Sequence, residues 1–453
     1  MSNMQVIPYS YTVDKKMVHD IRIPRLRDIR FIRLFHIFLF SFGFLVLTET
    51  LIESSILFVD GIRLSTIYVI MISALYYYGD PLRSTRVSKK NIIVSLIIIY
   101  FLMVGVLNST LPRALSVTVL YTAPFIMLYC FRDLTMQSGI MMRWKLKVFI
   151  SVFIVVSVLG LFTIESPEML FTRGEGIKRF AGIFLSDMIG GYFNGIYFVI
   201  FIALFWLLRE KKLLILAFIA LTLTIFSQTR AYIISAILAG LLIFLPLKLK
   251  TVLKISFALI LLLIVLSIFE FNVLIIINNV PGLEILAVTI DQYRTLINEG
   301  MITSVKDFSD FNLLYPEGFE ELRTFADRFY FAFHLVSQIQ IFPGHGFGSA
   351  GFELQSAISQ NLDITHSDPI TIAYEMGILF VPLYYVFYIK VINVKNLFRG
   401  YNNILLGVCT FEFLSAITSS NLHLALHRII LFWGVLLIIN ILFLKINHIE
   451  ELK

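Results

Sequence analysis

A chain of 453 residues that is 58% hydrophobic, 15% charged and of mean hydropathy +0.86 is too apolar to stay soluble as a globular domain. Its apolar runs of about 17–25 residues fit a polytopic helical membrane protein instead. The net charge of +7 is no nucleic-acid signal, because most of the 37 Lys and Arg fall on one alternating set of loops, and nucleic acid is not an expected partner.

Segment 1–32 is basic, with Lys15, Lys16, Arg22, Arg25, Arg27 and Arg30 ahead of Arg33 at the first apolar run. It reads as a cytoplasmic topology anchor on anionic lipid. About 30 residues rich in basic side chains precede that run, so no cleavable signal peptide is expected. Apolar spans follow at 33–51, 62–78, 91–107, 114–131, 147–164, 188–208, 212–226, 231–246, 252–271, 369–390, 402–420 and 428–445. Twelve spans put both termini on one side. The Lys/Arg-rich connections 79–90, 132–146, 209–212, 247–254 and 390–401 assign that side to the cytoplasm. The expected fold class is all-α: a polytopic integral membrane protein of about twelve transmembrane helices with a large extracytoplasmic loop. The chain then divides into the basic segment 1–32, a bundle 33–271 of spans 1–9, an external loop 272–368, spans 10–12 over 369–446, and a cytoplasmic tail 447–453. Cys130 and Cys409 lie in or beside apolar runs and form neither a disulfide framework nor a Cys-x-x-Cys metal spacing.

External connections 165–187 and 272–368 far exceed the usual loop of about 4–6 residues, and long loops of that kind are usually functional. Leu286, Ile290, Tyr293 and Ile297 recur at helical spacing. Phe319, Leu322, Phe325, Phe329, Phe333 and Val336 form a second stripe, ended by Pro343-Gly344. Two amphipathic helices on the outer face are expected, their aromatic residues serving as packing surface.

Arg179 precedes span 6, Arg230 follows Ser227-Gln-Thr in the turn before span 8, and Arg328 lies on the second stripe helix off its aromatic face. Arg179 and Arg230 precede helices that run inward, so positive helix ends meet positive side chains. That arrangement is unfavourable unless an anion sits between them. Arginine suits bidentate phosphate contact, so Arg179, Arg230 and Arg328 converging on one anion is the functional reading; the bland one is snorkelling at the interface. Asp187 reads as the N-cap of span 6 and as a candidate substrate contact.

Asp368 is the expected N-cap of span 10 and Pro369 its first helical residue. His366 then stands just outside a helix N-terminus, which disfavours imidazolium and keeps the ring neutral. It is a candidate general base or substrate positioner; the plain alternative is an interfacial histidine bonded to a carbonyl. Glu375, an acid inside span 10, is expected to face a cavity or a partner and joins the candidate substrate-binding residues. Gly344-His-Gly346-Phe-Gly348 lacks the strand–turn–helix context of a dinucleotide fingerprint. It reads as a tight bend holding Arg328 near His366, with Gly346 among the substrate-binding positions. His345, His366, His423 and His427 show no standard metal spacing, so no metal and no other cofactor is expected.

Three patches resemble the O-antigen polymerase and O-antigen ligase superfamily. The first is Arg179-Phe-Ala-Gly-Ile-Phe184; the second is Ser227-Gln-Thr-Arg230, with Ile234 where the ligases' Arg-x-x-x-Leu motif has leucine. The third joins Arg328, Pro343-Gly-His-Gly and His366, which ten residues separate from Gly377. That spacing is similar to the family's His-ten-Gly motif. Ligases tend to carry His-Asn where this chain has His366-Ser367, and the ten residues between Arg179 and Gly190 are similar to a polymerase loop motif, so the polymerase is favoured. The resemblance covers roughly 160–390 and implies a GT-C-like fold. It implies metal-independent glycosyl transfer between undecaprenyl-diphosphate-linked glycans on the outer face of the bacterial inner membrane. In that reading His366, Arg328 and Arg230 are catalytic and Arg179, Asp187, Glu375 and Gly346 bind substrate. The partners are the lipid-linked donor and acceptor and the lipid bilayer, with a chain-length regulator left open.

Two rival readings remain open. An O-antigen ligase would share the donor but transfer to lipid A core. A twelve-span transporter would account for Gly79-Asp-Pro-Leu-Arg83, although transporters of that kind carry a longer central cytoplasmic loop and midplane charges. The topology is directly testable. Ser309→Cys should react with a membrane-impermeant maleimide on intact or outer-membrane-permeabilised cells, and Lys89→Cys should be protected; the opposite pattern would invert the arrangement.

Overall fold

The computed structural model describes residues 58–59, 62–63, 89–136, 139–162, 170–173, 177–180, 187–227, 229–244, 291–292, 295–296, 298–299, 334–357, 367–392, 398, 401–418 and 425–451. These residues are predominantly helical. A short hairpin, β1 (Phe58–Val59) with β2 (Ile62–Arg63), precedes helices α1 (Lys89–Asn108), α2 (Leu111–Met136) and α3 (Gly139–Phe162). A second hairpin, β3 (Leu170–Arg173) with β4 (Ile177–Phe180), leads to α4 (Asp187–Leu208), α5 (Lys211–Phe226) and α6 (Arg230–Phe244). Then come α7 (Ser349–Ala357), α8 (Asp368–Met376), α9 (Phe380–Ile392), α10 (Asn402–Thr418) and α11 (Ala425–Glu451).

Expected spans 3–8, 11 and 12 each coincide with a helix, α1–α6, α10 and α11 in turn, although α2 runs beyond its expected end, α3 begins well before its expected start and α11 runs on to Glu451. The cause is legible in the chain: long runs of Leu, Ile, Val and Phe closed by polar turns. Spans 1 and 9 and most of span 2 lie outside the described residues. The start of span 2 is corrected, because Ile62 and Arg63 form a strand with Val59↔Ile62 and Phe58↔Arg63 opposite each other. Asp60-Gly61 between them is a dipeptide that favours a hairpin turn. The hairpin in connection 165–187 was not anticipated; its register sets Phe171 opposite Arg179.

Helix α4 is the axis of the larger packing unit. Its 22 residues make a rod about 33 Å long, and it packs against α5, α6, α10 and α11. Phe149 of α3, Tyr197 and Phe201 of α4 and Trp433 of α11 form an aromatic centre, with Phe149 and Tyr197 centroids 4.5 Å apart. A smaller cluster joins Phe101, Tyr121, Phe347, Ile372 and Met376. Large apolar side chains also face outward, among them Leu96, Met103 and Leu107 on α1, Phe218 on α5 and Leu241 on α6. Among the described residues one helical stretch, Gly190–Leu208, is long and apolar enough by itself to cross a membrane; α8 and α9 qualify only as a bent pair.

Span 10, expected as one straight helix over 369–390, is instead broken. Helix α8 ends at Met376, and α9 departs at 116° to it. Gly377 makes the turn at φ 96° and ψ 154°, a region essentially closed to other residues. A Cβ there would also lie 2.7 Å from the Ile341 carbonyl oxygen. The N-cap shifts by one residue: it is Ser367, with Asp368 opening the helix and Pro369 in its first turn. Gly377→Ala should therefore destabilise the purified protein by about 1–3 kcal/mol, read as a lowered Tm. An unchanged Tm would mean that the break relaxes without cost.

Candidate functional site

The residues that close the break in α8 come from a distant segment. The last carbonyls of a helix lack intrahelical partners. Here Tyr374 O accepts from His345 N at 3.0 Å, and Glu375 O accepts from Gly346 N at 2.7 Å. Ile378 N donates to Gln340 O at 3.1 Å. The glycine-rich bend is thus inserted against the end of α8. Gly344, Gly346 and Gly348 all have φ between 75° and 84°. A Cβ on Gly346 would lie 2.1 Å from the backbone nitrogen of Gly105 in α1, so only glycine allows this approach. Gly346 therefore occupies a buried backbone-packing position, with its N–H engaged by Glu375.

Glu375 is buried beneath the bend, and its Oε1 accepts the Gly348 N–H at 2.9 Å. Gly348 immediately precedes α7, so the Glu375 carboxyl group stands at the N-terminus of that helix. Arg113 and Tyr121 of α2 lie within electrostatic reach: Arg113 of Glu375, and Tyr121 of both Glu375 and Asp368. Asp368 is itself buried in the first turn of α8. A half-buried arginine, a buried tyrosine and two buried acids therefore gather where α2 meets α8. Polar groups enclosed in this way need partners inside the protein. The sequence reading missed Arg113 and Tyr121; Arg113 sits in Leu111-Pro-Arg, where it resembles an ordinary interfacial cation.

The second gathering lies where α4 and α6 begin. A Cβ on Gly191 would lie 2.6 Å from Ser227 Oγ and 3.2 Å from Thr229 Cβ, so Ser227 and Thr229 rest on the start of α4. Strand β4, which carries Arg179, packs against α4 and α5. Asp187 opens α4 and Arg230 opens α6. The backbone positions of Arg179, Asp187 and Arg230 thus share one end of the bundle, which also presents two helix N-termini. Beneath it, Tyr192 donates to Glu412 Oε2 at 2.7 Å, and the Tyr232 ring lies 5.2 Å from Tyr192. Glu412 is buried inside expected span 11. It was also missed, although the argument applied to Glu375, an acid within a span, points to it equally.

Arg328 and His366, expected beside this end, lie outside the described residues. The spacing between His366 and Gly377 nevertheless acquires a structural meaning. Its ten residues are the N-cap Ser367 and the nine residues of α8, so the motif measures one short helix from its start to its break. Among the described residues no group of three or more His, Cys, Asp or Glu is placed to hold a metal. Comparison with known proteins returns no match to any family model, curated protein or solved structure.

The bond from Gly348 to Glu375 makes a specific prediction. Glu375→Ala leaves a buried N–H without its acceptor and should cost about 1–3 kcal/mol of stability. Glu375→Gln keeps an amide oxygen at the same place and should lose less. Thermal unfolding of the two purified variants checks this; equal losses would assign the effect to the charge rather than to the hydrogen bond.

Proposed function

We propose that this protein is a polytopic membrane glycosyltransferase of about twelve spans. It polymerises undecaprenyl-diphosphate-linked repeat units at the outer face of the bacterial inner membrane. The observation that carries this reading is the gathering of Arg179, Asp187 and Arg230 with two helix starts at one end of the bundle. Two positive helix ends beside two arginines favour a strongly anionic ligand, and a lipid diphosphate supplies that charge. The outward apolar faces of α1, α5 and α6 suit a hydrocarbon environment. The residue patterns resembling O-antigen polymerases supply the choice of reaction.

In this reaction His366 takes the proton of an acceptor sugar hydroxyl, and that oxygen attacks the anomeric carbon of the donor. The bond from the anomeric carbon to the phosphate oxygen breaks, and the diphosphate leaves on its lipid. Arg230, Arg328 and Arg179 stabilise the charge that develops on the leaving group. The broken helix at Gly377 favours transport as a second reading, since transporters use broken helices to expose carbonyls to ions. Here Ala373, Tyr374 and Glu375 carbonyls accept from Gly377, His345 and Gly346, so none of the three lacks a backbone donor. That weighs for the transferase.

Purified enzyme supplied with lipid-linked repeat units tests the proposal. Arg230→Ala and Arg328→Ala should abolish nearly all polymerisation, and the lysine variants should lose most of it because the planar fork is gone. His366→Gln should retain donor binding while turnover falls by roughly 10²–10⁴. Near-normal turnover in His366→Gln would place the base elsewhere. In cells, deletion should leave single-repeat chains on a polysaccharide blot; bare core would indicate a ligase, and unexposed repeats a transporter.

A further inference from the structure

Beside the bend, three segments bring planar polar side chains to one place: the turn at 334–338, α7 and α8. His334 Nε2 lies 3.0 Å from Glu353 Oε1, and Gln338 Nε2 donates to the same oxygen at 3.3 Å. Tyr374 OH donates to Gln338 Oε1 at 3.4 Å. The His345 ring stacks on Tyr374 with centroids 4.3 Å apart, and its Nε2 lies 3.1 Å from the Gln338 carbonyl oxygen. A carbonyl oxygen only accepts, so Nε2 carries the hydrogen; in the uncharged form of such a ring Nδ1 is the acceptor. Among the described residues the side-chain contacts to Glu353 fall on Oε1, and Oε2 is a second acceptor on the same held group. The His334 and Glu353 side chains are 24% and 31% exposed, so a ligand can reach them.

We infer that Glu353, His345, Gln338 and His334 form a saccharide subsite that holds hydroxyls of the lipid-linked repeat unit; this rests on the glycosyl-transfer reading above. A sugar ring offers several neighbouring O–H donors, each of which seeks a directed acceptor. Glu353 Oε2 and His345 Nδ1 are such acceptors, and the surrounding hydrogen bonds hold their planes before any ligand arrives. That pre-ordering lowers the entropic cost of binding. A diphosphate is disfavoured here by the carboxylate itself. A metal is disfavoured because these groups do not assemble into a ligand set.

The test uses full-length protein in detergent and two probes. One is the repeat-unit oligosaccharide released by mild acid from the cell's own lipid-linked pool; the other is undecaprenyl diphosphate alone. Glu353→Gln keeps one acceptor oxygen, replaces the other by an NH2 donor, and should weaken the oligosaccharide about tenfold, or 1.4 kcal/mol, while leaving the lipid diphosphate unaffected. KM for the lipid-linked acceptor should rise with kcat nearly held. In the wild-type protein, the oligosaccharide should protect Glu353 from carbodiimide modification read by mass spectrometry, which needs no variant to fold. Unprotected Glu353 with the oligosaccharide bound would overturn the subsite and leave the transferase reading standing. Wild-type protein that binds neither probe and makes no polymer would overturn both.

Discussion

The packing of α1, α2, α7 and α8 depends on one set of backbone hydrogen bonds, those between the 340–346 segment and the broken end of α8. A helix that stops at Gly377 exposes carbonyls that would cost several kcal/mol each if left unpaired in an apolar layer. His345 and Gly346 supply the donors. Their insertion has consequences further along the chain. Phe347 is drawn between Phe101 of α1 and Tyr121 of α2, at centroid distances of 5.8 and 5.0 Å. Gly348 then stands over Glu375, and α7 starts from that point. Helix α8, its partner loop and the first two described helices are therefore fixed together by a break that a sequence pattern shows only as a single glycine.

The larger unit is held differently. Helix α4 has neighbours on several sides, so its aromatic and aliphatic residues are buried all round and no amphipathic stripe remains. The start of α4 receives Ser227 and Thr229 because Gly191 permits it. The same contact brings the start of α6 beside the start of α4. Two like-signed helix ends in proximity repel one another unless negative charge is near. Buried Glu412, tied to Tyr192 one turn below Asp187, lies on this bundle and belongs to its internal balance.

Glu375 and Glu412 illustrate two ways of keeping an acid inside a greasy bundle. Glu375 takes a backbone N–H from an inserted loop and stands at a helix start. Glu412 takes a tyrosine hydroxyl from a neighbouring helix. Each tie braces elements that carry the proposed chemistry: α8, which follows His366 in the chain, and α4, which sits beneath the arginine-bearing turn. Groups held on packed helices keep their positions better than groups on unsupported loops, and positioning is what glycosyl transfer with a departing diphosphate requires.

Long apolar runs determined where α1–α6, α10 and α11 lie, since length and hydropathy are local properties of the chain. The residue types at Arg179, Arg230 and Glu375 were equally legible, as was the bend at Gly344-His-Gly346. What the chain could not reveal by periodicity was the break in span 10. Both halves of that span are apolar, and only the docking of a segment some thirty residues earlier decides that Gly377 turns rather than continues. The same holds for Arg113, Tyr121 and Glu412, whose significance comes from neighbours supplied by other helices. It holds for the His334–Glu353–Gln338 cluster, whose members are ordinary polar residues until three segments meet. Local sequence sets helix lengths and charge placement, whereas closure of backbone groups and pairing of buried charges are long-range events that only the tertiary structure decides.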